Sequence, residues 1–147
     1  MPNLKTYDLF ISHAWKYGDD YSRLMNLLHN APFFSFRNYS APSDKPLHNL
    51  DATDVHTVSQ IQDSITRKIR PVNCVLIIAG MYYNYRRWMQ YEISTAKSMG
   101  KPIVVIKPFG SSTMPAELVT LVSATPKCTS VGWNTDSIVS AIRQYSL

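Results

Sequence analysis

The chain has 147 residues, 45% of them hydrophobic, which suits one compact domain with a full core and argues against disorder. Its net charge of +5 is a mild excess; it favours anionic ligands, nucleotides included, but is too small to argue for DNA or RNA. The longest apolar run, Cys74–Met81 (CVLIIAGM), is far too short to span a bilayer. With no secretory h-region in MPNLKTYDLF, a cytoplasmic protein bound to neither nucleic acid nor membrane is expected.

Apolar runs alternate with helical patterns along the whole chain. Tyr7–Ser12 (YDLFIS) predicts a first strand, and Asp19–Asn30 a helix with an acidic start and Leu24, Leu27 and Leu28 on one face. Phe33–Ser40 (FFSFRNYS) reads as an aromatic-rich second strand. The Pro-, Asp- and Asn-rich segment Ala41–Asp54 reads as a long irregular loop, and such loops inside compact domains often carry function. Val55–Arg70 is amphipathic, with Val58, Ile61, Ile65 and Ile69 in register, and Pro71 stops it.

Asn73–Gly80 lacks alternation, as a central strand covered on both faces should. A loop follows it, then a helix ended by Gly100. Pro102–Pro108 is a second doubly buried strand, and Pro115–Val122 a helix opening on proline. Cys128–Trp133 gives a short last strand, and the chain ends in a helix capped by Thr135 or Asp136.

This β-α alternation predicts one domain over residues 1–147, an α/β three-layer fold of the flavodoxin-like kind. Five parallel strands in the order 2-1-3-4-5 would carry helices on both faces and open a crevice at the C-terminal ends of strands one and three. The two cysteines, Cys74 and Cys128, fall in predicted strands and read as buried thiols. The four histidines show no ligand spacing, so no metal site is expected. The basic clusters Arg67–Arg70 and Arg86–Arg87 read as solvated helix faces.

The architecture hosts unrelated functions, so the crevice must decide among them. A phospho-acceptor receiver needs an acidic pair after the first strand and an aspartate ending the third; those places read SHAW and AGMYY. A flavodoxin needs a hydroxyl-rich phosphate loop, and only Ser12 is available. There is no GxGxxG, no P-loop, no GxSxG elbow and no Cys–His arrangement. The first loop instead brings Ser12, His13 and Trp15, and the second brings Asn38, Asp44 and Lys45. The third brings Tyr82, Tyr83, Asn84 and Tyr85, and its helix Trp88 and Glu92. Aromatic faces, a few hydrogen-bonding groups and one carboxylate suit a nucleotide.

Each of these residues has a plainer reading. His13 can satisfy loop amides, Trp15 and the tyrosines can be packing groups, Trp88 can be core, and Asp44 can be a turn residue beside Pro42 and Pro46. Glu92 is the anomaly. At about 100° per residue it falls near ~40° from Trp88 on the wheel, inside a stripe formed by Met99, Ala96, Met89 and Ile93. A carboxylate there is costly unless it is partnered, snorkels out at the helix end, or lines an opening.

YDLFISHAWK resembles the opening strand and loop of TIR domains, and Trp88 to Pro108 (W..YE...A...GKPIVVIKP) is similar to the TIR helix and the strand after it. FFSFRNYSAPSDKP is similar to the TIR-like subfamily of bacterial Thoeris anti-phage systems. This resemblance implies an enzyme that cleaves the nicotinamide–ribose bond of NAD⁺ and cyclises the remainder into an ADP-ribose-type signal for a separate effector protein. NAD⁺ would be substrate, and no cofactor is implied. The family's catalytic glutamate maps onto Glu92, with substrate contacts expected among Ser12, His13, Trp15, Asn38, Asp44, Lys45, Tyr83, Asn84 and Trp88. Two alternatives stand beside it: a simple NAD⁺ hydrolase, and a non-catalytic adaptor acting through TIR–TIR self-association.

Overall fold

Five strands alternate with five helices in the computed structural model, which describes residues 6–12, 19–39, 55–79, 86–107, 116–124 and 127–146. They are β1 (Thr6–Ser12), α1 (Asp19–His29), β2 (Ser35–Asn38), α2 (Val55–Ile69), β3 (Cys74–Ile78), α3 (Arg86–Ser98), β4 (Ile103–Ile106), α4 (Ala116–Ala124), β5 (Cys128–Val131) and α5 (Thr135–Tyr145). The strands form one sheet in the order β2-β1-β3-β4-β5, and every neighbouring pair is parallel. The chain thus reverses its direction of travel across the sheet between β1 and β3, where the crevice was expected.

The layers follow from strand periodicity. Leu9 and Ile11 of β1, Leu76 and Ile78 of β3, and Val104 and Ile106 of β4 pack with Leu24 and Leu28 of α1 and with Ile138 and Ile142 of α5. The intervening residues Phe10, Val75, Ile77, Ile103 and Val105 pack with Ile65 and Ile69 of α2, Met89 and Ile93 of α3, and Leu118 of α4. Both faces are covered, which is why β3 and β4 are buried at every residue and carry no polar alternation. No helix among the described residues is long and apolar enough to cross a membrane.

Helix ends are set by specific caps. Gly100 adopts a left-handed φ of 68°. Its amide donates to the Lys97 carbonyl and the Lys101 amide to the Ala96 carbonyl, the paired bonds of a Schellman ending. The cap of α5 is Asn134, one residue earlier than expected: its side chain accepts from the Ser137 amide at 3.1 Å. Thr135 and Asp136 are already inside the helix. Asn134→Ala should cost about 1 kcal/mol, read as a lower denaturant midpoint with an unchanged slope.

The second strand is shorter than its aromatic run suggested. Phe33 has a φ of 57° and is 75% exposed, so the chain turns there instead of extending. Arg143 of α5 donates to the Phe33 carbonyl at 2.7 Å and its guanidinium lies 5.8 Å from the Phe34 ring centre. Phe34 stacks on Tyr7 and against Phe36. At the opposite end of the first strand pair, Asp8 of β1 meets its register partner Arg37 of β2 at 2.6 Å.

Both cysteines are free and buried. Burial pushes the Cys74 thiol up to about 12 and the Cys128 thiol to about 11. The native state therefore holds protons that the unfolded chain releases above about pH 9, so stability falls as pH rises from there towards 12. For Cys74 the slope approaches about 1.4 kcal/mol per pH unit. Urea midpoints measured at pH 8 and pH 10 should show this loss, and it should shrink in Cys74→Ala.

Candidate active site around Glu92

The helix α3 descends from the C-terminal end of β3, so its first turn stands at the expected crevice edge. Glu92 lies six residues beyond Arg86, about 9 Å down the axis at 1.5 Å per residue. Its neighbours on the wheel behave as the stripe requires: Met89 and Ala96 are buried in the three-helix core, and Ile93 lies beside them. Glu92 itself is only 1% exposed. It therefore does not snorkel to the surface. Thr95, one turn on, is the other buried polar residue among those described.

Ser12 closes β1 and pairs in register with Ile77, next to the last residue of β3. Its backbone thus lies at the strand-end edge from which α3 starts. Trp88 is in α3, one turn before Glu92. Asn38 stands apart from them. It is level with Leu9, three residues or roughly 10 Å short of the end of β1. Its amide donates to the Met25 sulfur of α1 at 3.4 Å, which puts it on the α1–α5 face, opposite α3. The structure does not bring Asn38 and Glu92 together. His13, Trp15, Asp44, Lys45, Tyr82, Tyr83, Asn84 and Tyr85 lie outside the described residues.

Two side chains that join α3 to α2 were not singled out from the sequence. Tyr91 packs against the same core, and its hydroxyl lies 3.1 Å from Thr66 Oγ1 on α2. Thr66 donates in turn to the Gln62 carbonyl at 2.9 Å. Nothing local in sequence marks this pair, because the contact depends on how α2 and α3 settle side by side. A cavity of about 340 Å³ lies elsewhere, between α3 and α4, with Ile93, Lys97, Glu117, Leu118 and Leu121 on its walls. None of the expected site residues lines it. Its position between two helices, away from the strand ends, makes it a weaker candidate than the switch point.

A family model described as "Thoeris protein ThsB, TIR-like domain" matches residues 10–113, from β1 through β4 and beyond. The chain belongs to the ThsB TIR-like domain family. Glu92, Trp88 and the buried strands on either side of α3 all fall within the matched span of this TIR-like domain. The family ties the domain to a Thoeris-related role. A crystal structure of a conserved protein from Enterococcus faecalis V583 has a similar fold, with a TM-score of 0.55 at 10% identity, over 95% of this chain and 99% of that one. No individually curated protein matches the chain.

Proposed function

We propose that this TIR-like domain cleaves NAD⁺ at the nicotinamide–ribose bond and closes the remainder into a cyclic ADP-ribose-type signal. The signal would act on a separate effector protein in cytoplasmic anti-phage defence. The observation that supports this reading is a carboxylate buried to 1% exposure on the helix that starts at the crevice edge, within the span that matches the ThsB TIR-like family.

The chemistry asks little of the protein beyond that carboxylate. Nicotinamide in NAD⁺ is already cationic. When the C1′–N bond breaks, its electron pair stays on the pyridine nitrogen and neutral nicotinamide leaves without a general acid, unlike an ordinary glycoside. Positive charge develops on the ribosyl carbon and ring oxygen. The Glu92 carboxylate would hold the ribose hydroxyls and stabilise that charge, in surroundings where burial strengthens the attraction. A hydroxyl of the same molecule, releasing its proton to solvent, or an adenine-ring nitrogen, which takes up the positive charge, then bonds to C1′ and gives the cyclic product; water in its place gives linear ADP-ribose and a proton. Among the described residues, Ser12 at the end of β1 and Trp88 in the first turn of α3 are proposed contacts. His13, Trp15, Asn38, Asp44, Lys45, Tyr83 and Asn84 complete the proposed set.

The burial of Glu92 also bears on regulation. Substrate can reach a carboxylate this covered only if something moves, which fits a domain that rests until triggered. The test is to incubate the purified protein, and lysate from phage-infected cells expressing it, with NAD⁺ and to follow products by mass spectrometry. A cyclic product with released nicotinamide is expected. Linear product alone would make the domain a hydrolase. No nucleotide product under either condition would overturn the enzymatic reading and favour an adaptor that works through self-association.

A further inference from the structure

The hydroxyls between α2 and α3 form a directed chain. Thr66 Oγ1 sits 2.9 Å from the Gln62 carbonyl, and a carbonyl can only accept, so the single Thr66 proton is committed there. The Tyr91 hydroxyl, 3.1 Å from Thr66 Oγ1, must then be the donor between the two. The same hydroxyl lies 3.5 Å from the Gln62 carbonyl, a weaker alternative acceptor. A second tie joins the far ends of the helices: Lys101 Nζ, just past the end of α3, donates to the Arg70 carbonyl at the end of α2 at 2.8 Å.

Tyr91 and Glu92 are consecutive, so their side chains leave α3 about 100° apart. Tyr91 reaches sideways to α2, whereas Glu92 lies on the buried stripe. Apolar packing along the rest of that stripe resists separation of α3 from the sheet but is non-directional, and resists rotation about the helix axis far less. A side-chain tip stands roughly 6 Å from that axis, so a roll of about 20° would carry the carboxylate about 2 Å. A displacement of that size is enough to lose an aligned electrostatic contact with a reacting centre.

We propose that Tyr91 is a positioning residue: by donating to Thr66 it fixes the roll of α3 and so aims the Glu92 carboxylate. This inference rests on the reading of Glu92 as the reacting carboxylate. Tyr91 itself touches no substrate in this scheme. Its effect is transmitted through the helix, and Thr66 is the anchor on the neighbouring one.

The test uses the full chain carrying Tyr91→Phe, Thr66→Val or Thr66→Ser, with two readouts. The first is NAD⁺ turnover in lysate of phage-infected cells, resolved into kcat and KM. Tyr91→Phe should lower kcat about tenfold with KM held within about twofold. Thr66→Val should lose less, because Tyr91 can turn to the Gln62 carbonyl. Thr66→Ser keeps the acceptor and should retain wild-type turnover. The second readout needs no activity: the ¹³C resonance of the Glu92 side-chain carboxyl, assigned by its disappearance in Glu92→Gln. It should move by more than its linewidth in Tyr91→Phe and stay in place in Thr66→Ser. An unmoved resonance in folded Tyr91→Phe overturns the proposal, as does equal loss in Thr66→Ser and Thr66→Val. If Tyr91→Phe does not fold, the Thr66 pair decides by the same criteria. If the wild type makes no product, the enzymatic reading fails while the resonance still decides whether Tyr91 orients Glu92.

Discussion

Glu92→Gln is expected to abolish NAD⁺ cleavage, by about 10²- to 10³-fold or more in kcat, while leaving the fold intact. The two side chains have nearly the same shape, so the packing around this buried position on α3 is preserved. In the proposed reaction, what disappears is the negative charge opposite the developing ribosyl cation. A neutral amide can still hydrogen-bond ribose hydroxyls, so KM should change much less than kcat. The measurement is nicotinamide release under the triggering condition, with a melting curve of the same preparation. Persistent product from Glu92→Gln would remove Glu92 from the mechanism. A collapsed melting curve would show that its role is structural.

Phe10→Ala is the complementary case, in which the fold should fail. Phe10 is fully buried at the centre of β1, pairs in register with Val75, and belongs to the core under α2, α3 and α4. Truncating a buried phenylalanine typically costs about 3–5 kcal/mol, because the lost transfer energy is compounded by a cavity that rigid neighbours cannot fill. That is a large share of the roughly 5–15 kcal/mol a domain possesses. The melting temperature should fall by about 10–20 °C, with activity lost through unfolding. Phe10→Leu, which keeps most of the volume, should recover the greater part of both.

The architecture could be read from the sequence where burial leaves a periodic trace. The unbroken apolar runs of β3 and β4 announced strands covered on both sides, and the β-α alternation with them led to the observed sheet order. Glu92 was legible for the same reason, since an acid inside an apolar stripe breaks a pattern. The failures are non-local. Phe33 and Phe34 extend an aromatic run, and the bond that meets the turn at Phe33 comes from Arg143, 110 residues away. Asn38 is not one of these failures: the register sets it level with Leu9 on the α1 side of the sheet, about as deep as Glu92 lies on the other side. The Tyr91–Thr66 contact joins two helices whose separate patterns say nothing of each other. Asn134, by contrast, was an ambiguity of one residue among three adjacent capping side chains.

The outer strand of the sheet has a further consequence for the behaviour of the protein at high concentration. β2 runs for four residues only and carries a 64%-exposed arginine held to Asp8 on the adjoining strand. A rim so short and so charged is a poor template for a foreign strand, which would have to bury that guanidinium to gain a few main-chain bonds. The protein can therefore be concentrated with little risk of edge-to-edge strand addition from this side.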